Sequence, residues 1–365
     1  MGASATTLRP VRPDVWRRHA GCVCVPIALL SCMSAAADEA TAFVDALPAY
    51  VASERVEGLV RLWGHGSFRH DFMRRLVADW ERNFQREQPG VRIDYRMYGT
   101  ASAVGAVYTG AGDIALLGEE ISPAAARAFL RAKGYPHTEV SIATGSVDVN
   151  YFDYAHMVFV HRDNPLSRLS LPQLRAVFGE VAPGKERNFR VWGDLGLGGA
   201  WRERPIQPYG WKADVDFALF FAGRVLGGSH RWNPALREFE HAQHPDGSQY
   251  DHGQRILDAL ALDPAGIAIS NIRYARPEVR ALPLAWTVAG PYVHATRATL
   301  IDQQYPLVRL IPAIVDVPPG GRLAPPTREF LRFLLGREGQ QALLRESGYL
   351  PLGIAARREQ LEKLR

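Results

Sequence analysis

The stretch EFLRFLLGREGQQALLRESGYLPL, residues 329–352, is the most informative segment of this 365-residue chain. We predict a helix over Pro326–Leu335, more helix after it, and then the short apolar series GYLPL at residues 348–352. A predicted strand at Leu307–Val315 and a Pro-Pro-Gly-Gly turn at residues 318–321 come directly before this segment. The C-terminal end of the chain is therefore predicted as a strand, a turn and successive helices.

The N-terminal half of the chain alternates between strands and helices. An amphipathic helix is predicted over Phe68–Phe84, because apolar residues recur four apart along one face. The other predicted elements are strands at Leu59–Trp63, Val91–Tyr95 and Asp113–Leu117 and a short helix at Ala103–Tyr108. This alternation predicts a parallel sheet with helices on its faces.

The middle of the chain shows the same alternation. The predicted strands are Met157–His161, Ile206–Tyr209 and Gly266–Ser270. The predicted helices run from the N-cap Ser170 to Phe178, over Asp214–Leu226 and over Gln254–Leu262. A chain of this length with two such series is expected to form two domains or two lobes.

Residues 1–37 have the features of a secretory signal peptide. Arginines precede an apolar run at Cys22–Leu30, and small residues at 34–37 precede Asp38. Two alternatives stay open: a retained membrane anchor, although the apolar run is shorter than the roughly 20 residues of a span, and a lipoprotein signal at Cys32. All three cysteines lie in this segment, so the cleaved chain would have neither thiol nor disulfide.

Charge and composition narrow the functional classes. The net charge of +5 includes three net positive charges in residues 1–37, which leaves +2 for the rest of the chain. No basic stripe is interleaved with aromatic residues, so nucleic-acid binding is not expected. With 47% hydrophobic and 22% charged residues and no low-complexity block, the chain is predicted to fold as a globular protein.

Several short motifs resemble those of the phosphate-type periplasmic substrate-binding proteins, the receptors of ABC importers. The resemblance covers about residues 59–352 and rests on Tyr305-Pro306-Leu307 with Arg309, the segment quoted above, Gly66-Ser67-Phe68, Gly99-Thr100-Ala101-Ser102, Asp113-Ile114-Ala115 with Gly118-Glu119, Phe178-Gly179-Glu180, Trp192-Gly193-Asp194-Leu195 and Gly266-Ile267-Ala268. It implies an α/β fold of the two-lobe, type II periplasmic-binding-protein class. Each lobe would have a central sheet with helices on both faces, and two strands would cross between the lobes near Ala155–Val160 and Leu307–Val315.

The resemblance also implies a domain organisation. After the signal peptide at 1–37 and a lead-in at 38–58, lobe 1 would comprise residues 59–155 and 305–352 and lobe 2 residues 156–304. Residues 353–365 would form a C-terminal tail. The ligand would lie in the cleft between the lobes.

An anion in such a cleft needs hydrogen-bond donors, which helix N-termini, hydroxyl groups and cationic side chains supply. The predicted ligand-binding residues are Ser67, Phe68, Thr100, Ala101, Ser102, Glu119, Trp211 and Lys212. The three hydroxyl residues would donate hydrogen bonds, Lys212 would supply charge, Glu119 would accept a proton, and Trp211 would cover an apolar or planar part. Alternatively, Ser67 and Thr100 are plain helix caps.

The second lobe departs from the family pattern. Tyr209 replaces an arginine, Ala213-Asp214-Val215 replaces Ser-Gly-Thr, and Gly118 replaces an acidic residue. Asp214 is expected to cap the following helix and so to occupy amides that an anion would use. Lys212 would then either bind the anion or neutralise Asp214 and Asp216.

We therefore predict an exported solute-binding protein of phosphate-type ABC transport, monomeric and without cofactor or metal. Its predicted partners are a small solute, expected to be an anion, and an inner-membrane permease. The alternative is a non-transport protein of the same fold, a ligand sensor or envelope scaffold that has lost phosphate binding. An enzyme is not expected, because no Gly-x-Ser-x-Gly motif surrounds His65-Gly66-Ser67 or Asp251-His252. The pair His241 and His244 is interpreted as part of a polar loop, and Gly193–Gly199 as a connecting turn.

Overall fold

A computed structural model describes residues 39–65, 72–147, 155–180 and 187–365. The predicted signal peptide, its cysteines, Ser67 and Phe68 lie outside these residues. Residues Glu39–Arg365 belong to one compact unit. Within the described residues, no helix has an apolar segment of membrane-spanning length.

Strands and helices alternate along the described chain. The strands are β1 (Glu57–Gly64), β2 (Gly90–Arg96), β3 (Ile114–Leu116), β4 (Thr138–Thr144), β5 (Met157–His161), β6 (Leu169–Ser170), β7 (Gln207–Trp211), β8 (Arg237–Phe239), β9 (Ala242–Gln243), β10 (Gln249–Tyr250), β11 (Gly266–Ser270), β12 (Val279–Ala281), β13 (Leu284–Ala285) and β14 (Leu310–Val315). The helices are α1 (Phe72–Glu87), α2 (Thr100–Tyr108), α3 (Pro123–Lys133), α4 (Leu171–Phe178), α5 (Asp216–Val225), α6 (His252–Leu260), α7 (Arg297–Ile301), α8 (Pro325–Leu334), α9 (Arg337–Ser347) and α10 (Ile354–Glu362). Short 3₁₀ turns occur at Trp192–Leu195, Gly199–Trp201 and Ile272–Tyr274.

The first five-stranded sheet has the order β2-β1-β3-β14-β4. Strands β2, β1 and β3 are parallel, whereas β14 runs antiparallel to both of its neighbours. Its core contains the predicted apolar face of α1, because Leu76, Trp80 and Phe84 are fully buried and Phe72 is partly buried. The ring of Phe84 packs edge-on against Phe330 of α8, with centroids 5.2 Å apart.

The second five-stranded sheet has the order β12-β5-β11-β7-β8. Strands β11, β7 and β8 are parallel, and β5 is antiparallel to β11 and β12. Its own core includes the buried side chains of Val158, Phe178, Trp192 and Phe221. Two sheets, each packed against helices, confirm the predicted α/β architecture.

The chain passes between the two sheets twice, and the two passages are hydrogen-bonded to each other. Gly145 N donates to Arg309 O at 2.9 Å, and His156 N donates to Leu307 O at 3.3 Å. Strands β5 and β14, which follow these passages, are already paired within the second and the first sheet respectively. His156, Leu307 and Arg309 lie within the predicted crossings and Gly145 lies before them, while the later part of each predicted range belongs to β5 or β14.

Both ends of the described chain pack against the first sheet and its helices. Near the N-terminus, Tyr50 donates its hydroxyl hydrogen to the buried Glu329 of α8 at 2.6 Å. Burial, together with this carboxylate, raises the pKa of Tyr50. At the C-terminus, the Gln360 side chain of α10 accepts a hydrogen bond from Ser141 N of β4 at 3.0 Å. These contacts attach the terminal segments to the first sheet.

The α8–α9 junction gives the first prediction. A Cβ atom at Gly339 would lie 2.7 Å from Leu334 Cα and still closer to the Phe333 carbonyl oxygen, both of which are backbone atoms. Since neither can move without separating the two helices, Gly339→Ala should lower the free energy of unfolding by about 1–3 kcal/mol. Urea unfolding measures this change.

Gly105→Ala in α2 is the matched control. Its Cβ would meet nothing closer than the Tyr108 hydroxyl, at 3.7 Å. Replacing a helical glycine with alanine should then be neutral or stabilising, by up to about 1 kcal/mol. Equal stabilities of the two variants would contradict the close packing at Gly339.

Candidate functional site

The turns that follow β1, β2 and β3 meet at one edge of the first sheet, because the carboxyl ends of parallel strands lie on the same side. Gly99 N donates to Gly64 O at 3.1 Å, and His65 N donates to Leu116 O at 2.9 Å. Gly99, with a φ of 97°, is the N-cap of α2. The first amides of that helix have no intrahelical carbonyl partner, so this edge provides donors.

Three of the predicted ligand-binding residues begin α2. Thr100 and Ser102 are partly buried and Ala101 is exposed. The hydroxyl of Ser102 donates to Gly99 O at 2.9 Å, which closes the first turn of the helix. Ser102 would therefore have to give up this local hydrogen bond in order to donate to a ligand.

The imidazole of His65 occupies the space beside Gly118, where the family carries an acidic residue. A Cβ atom on Gly118 would lie 2.7 Å from His65 Nδ1. The ring is held from the other side by Tyr349, whose hydroxyl lies 3.2 Å from His65 Nε2. A side chain at position 118 is therefore excluded by the packing of His65.

A cavity of about 480 Å³ lies between the loop that follows β3 and the helix α5 of the second sheet. The residues that line it are Glu119, Glu120, Ile121, Ser122, Pro123, Leu219, Phe220, Gly223, Arg224 and Arg309. Of the predicted ligand-binding residues in the described chain, Glu119 is the one in this lining. Its wall combines apolar surface from both sides with two guanidinium and two carboxylate groups.

Arg309 links the two sides of the cavity. Its Nη2 lies 2.6 Å and its Nε 3.1 Å from Glu120 Oε2, although the side chain of Arg309 is only 1% exposed. The guanidinium also lies over the rings of Phe217 and Phe220, at 5.2 and 5.5 Å from their centroids. A buried cation needs such a carboxylate partner, and the positive charge of Arg309 is therefore neutralised by Glu120.

Arg224 is the second arginine in the cavity wall, and it is partly buried. Its guanidinium lies 5.7 Å from the ring centroid of Phe220, one turn earlier in α5, and 5.4 Å from that of Trp286. Burial lowers the pKa of Arg224, and the negative charge of Glu120 partly opposes this effect. Within the described chain, its guanidinium has contacts with aromatic rings but no hydrogen bond or ion pair.

The structure places Trp211 in the core of the second sheet, where it is 1% exposed. Its ring stacks on Phe217 at 5.2 Å and lies 4.7 Å from the imidazole of His156. Among the described residues, neither the Trp211 indole nitrogen nor either ring nitrogen of His156 has a hydrogen-bond partner. Trp211 packs against Phe217 and does not line the cavity.

Lys212 lies on the surface, with a side chain that is 43% exposed. Its Nζ is 2.5 Å from Glu240 and 3.8 Å from Asp214, and the hydrogen bond to Glu240 is the main cause of its raised pKa. Helix α5 begins at Asp216 after the N-cap Val215, so the expected capping by Asp214 does not occur. Asp214 instead lies outside the helix and close to Lys212.

Tyr209, at the position where the family has an arginine, is also engaged within its own sheet. Its hydroxyl donates to Asp263 at 2.9 Å. Burial, with Asp263 as the second cause, raises the pKa of Tyr209 to about 12. In the second lobe, Tyr209 and Lys212 are thus paired with carboxylates of the same lobe, and Trp211 is buried.

Sequence reasoning missed the other three charged residues of the cavity wall, Glu120, Arg224 and Arg309. Glu120 was passed over for its neighbour Glu119, and Arg309 was noted only as part of the C-terminal motif. Arg224 could have been found, because it is a charged residue four positions after Phe220 in an otherwise apolar helix. Its position in the cavity wall, however, depends on how α5 faces the loop after β3.

Comparison with known proteins finds relatives among the phosphate-binding proteins. The phosphate-binding protein PstS of two Pseudomonas aeruginosa strains is 25% identical over 331 residues, which is 90% of this chain and 94% of the relative. The resemblance to the phosphate-type substrate-binding proteins is confirmed. No family model matches the chain.

One solved structure with a similar fold is itself a phosphate-type protein. PstS from Borrelia burgdorferi aligns with a TM-score of 0.51 at 10% identity, covering 81% of this chain and 99% of its own. An ABC-type phosphate transport receptor from Vibrio cholerae aligns with a TM-score of 0.48 at 12% identity, covering 80% of this chain and 99% of its own. The relatives named here are binding proteins.

The aromatic cluster behind the cavity gives a prediction about pH. Burial, and then the positive charge of Arg309, lowers the pKa of His156 far below its usual value. Below about pH 6.5 the unfolded chain binds a proton at this residue and the folded chain does not, so stability falls as the pH decreases. In the His156→Phe variant, the slope of the free energy of unfolding against pH should decrease by up to about 1.4 kcal/mol per pH unit, the value for one proton.

Urea unfolding of the wild type and the His156→Phe variant between pH 7 and 4.5 measures the difference. His252, whose pKa is lowered to about 4 mainly by burial, should leave a residual dependence in the variant. An identical pH dependence in both proteins would show that His156 is protonated in the folded state as readily as in the unfolded chain.

Proposed function

We propose that this chain is an exported solute-binding protein that holds a small anion in the cleft between its two lobes and delivers it to an ABC permease in the inner membrane. The observation that carries this proposal is Arg224. Its guanidinium is partly desolvated, faces the cavity, and has no hydrogen-bond or ion-pair partner within the described chain. An anionic ligand would supply that partner.

The charges around the cavity favour an anion that contacts Arg224. Arg309 is already paired with Glu120, so Arg224 is the cation left to interact with a ligand. Ile121, Leu219 and Phe220 give the cavity a partly apolar wall, and a charge interaction is stronger beside such a wall than in bulk water. Glu119 lines the same cavity and would accept a proton from the ligand.

The relationship to PstS supports the assignment to solute transport. The cleft would lie between lobe 1, residues 59–155 and 305–352, and lobe 2, residues 156–304. Thr100–Ser102 would complete it from the edge of the first sheet, with the first amides of α2. Ser67 and Phe68, which lie outside the described residues, stay predicted ligand-binding residues. Closure of the two lobes by hinge bending would then enclose the solute.

Substitution of Arg224 tests the proposed anion site. Because Arg224→Gln removes the desolvated charge, it should weaken binding of the tightest anion at least tenfold. Isothermal titration calorimetry against phosphate, sulfate, phosphonates and organic phosphates measures the affinities. Lys212→Gln is the matched control: this surface cation is paired with Glu240, and its loss should change the affinity less than twofold. Equal loss in both variants, or none in Arg224→Gln, would contradict the proposed site.

Export gives a second test that does not depend on the ligand. If cleavage follows Ala37, the periplasmic protein begins at Asp38 and contains no thiol, since all three cysteines lie in residues 1–37. Intact mass and thiol titration of periplasmic protein from a Gram-negative host should show both properties. A lipid-modified N-terminus at Cys32 would indicate the lipoprotein alternative, and a full-length product in the membrane fraction would contradict cleavage.

The alternative function is that of a ligand sensor or envelope scaffold with the same fold. It is favoured by the second lobe, in which Tyr209 is bonded to Asp263 and Lys212 to Glu240. Calorimetry with the anions above and with amino acids, together with native mass spectrometry of the purified protein, distinguishes the two functions. Absence of any bound solute in both experiments would rule out the transport receptor.

A further inference from the structure

Three potential metal ligands converge on the second lobe away from the cavity. His241 lies between β8 and β9, and Asp251 and His252 lie where the hairpin formed by β9 and β10 leads into α6. One ligand atom of each residue lies within 4.8 Å of the corresponding atoms of the other two. His244, which the sequence analysis assigns with His241 to a polar loop, is not part of this cluster, and its ring stacks on Tyr250 at 4.4 Å.

The carboxylate of Asp251 is held in a fixed position. As the N-cap of α6, Asp251 accepts a hydrogen bond from Gly253 N through Oδ1, at 2.8 Å. Its second oxygen, Oδ2, lies 3.6 Å from His241 Nδ1. One oxygen therefore stabilises the helix, and the other is available on the side of the histidines.

The two imidazoles lie face to face beside this carboxylate. Their centroids are 4.0 Å apart, and the rings are inclined by 18°. His241 Nδ1 accepts a hydrogen bond from His252 N at 3.3 Å, so this nitrogen carries a lone pair, which an ion would have to take over from that hydrogen bond.

Space for a hydrated ion lies beside His241. A recess of about 470 Å³ is lined by His241, Ala242, Gln243, Gly247 and Gln249. The side chain of His241 is 48% exposed, whereas the residue His252 is only 6% exposed. Water molecules from the recess would complete the coordination of an ion.

We propose that His241, Asp251 and His252 form a binding site for one first-row divalent transition-metal ion of the Zn²⁺, Co²⁺ or Ni²⁺ class. Two imidazoles and a carboxylate suit these ions, whereas Ca²⁺ and Mg²⁺ require mainly oxygen ligands. Neighbouring ligand atoms of a tetrahedral zinc site are about 3.4 Å apart. A separation at the 4.8 Å limit would have to shorten by about 1.4 Å, which a movement of the half-exposed His241 ring can provide.

The ion would connect the loop after β8 to the N-terminus of α6. The ring of His252 also packs against Phe217 of α5, at a centroid distance of 5.5 Å. The site would therefore fasten the hairpin of β9 and β10 to the aromatic cluster that supports the cavity wall. Binding to the folded chain should raise its melting temperature.

Calorimetric titration of Zn²⁺ into the untagged, EDTA-treated and dialysed protein at pH 7.5 tests the proposal. We expect one ion per chain, and affinities at least tenfold weaker for His241→Ala and Asp251→Asn. Asn remains a good N-cap, so Asp251→Asn removes the negative charge while preserving the start of α6. His244→Ala is the matched control, because His244 lies three residues from His241 but outside the cluster. The Zn²⁺ affinity of this variant should equal that of the wild type.

Co²⁺ provides a second readout that reports the ligands directly. Visible absorption bands of bound Co²⁺ should appear in the wild type and in His244→Ala, and should be lost in His241→Ala, with circular dichroism confirming that each variant is folded. Absence of Zn²⁺ binding at millimolar concentration would overturn the proposal. Wild-type affinity in His241→Ala, or an equal loss in His244→Ala, would overturn it as well, because the ions would then be bound by histidines outside this cluster.

Discussion

The buried guanidinium of Arg309 is the interaction on which the arrangement of the cavity depends. Arg309 lies on a segment that passes between the two sheets. Its charge is paired with Glu120 in the loop after β3, and its guanidinium lies over the rings of Phe217 and Phe220 in α5. An arginine that is almost completely buried is tolerated only with such a partner. The pair therefore brings the loop after β3 and the face of α5 to opposite sides of one cavity.

The polar groups of the second lobe are largely satisfied within that lobe. Tyr209 bonds to Asp263, Lys212 pairs with Glu240, and Trp211 is buried among aromatic rings. The positive charge that this lobe contributes to the cavity wall is therefore that of Arg224 in α5. A chain related to PstS thus presents a different set of groups from the Arg and Ser-Gly-Thr pattern that the family resemblance implies.

Much of the fold could be predicted because its signals are local. The four-residue spacing of α1 follows from helix geometry, and the side chains on that face are buried or nearly so. Helix starts were less predictable. Asp214 has the residue type of an N-cap, but the chain reaches a helical conformation only after Val215, and a surface ion pair with Lys212 holds the carboxylate elsewhere.

What the sequence determined by itself is the order of strands and helices, the two-sheet α/β class and the resemblance to phosphate-type binding proteins, all of which follow from short-range periodicity and contiguous motifs. Only the tertiary structure decided which side chains meet. Gly118 lacks a side chain because His65, 53 positions earlier, fills the space, and His241 meets Asp251 and His252 rather than His244. Contacts of this kind depend on how separate elements pack together, and the spacing of two residues along the chain does not determine their distance in space.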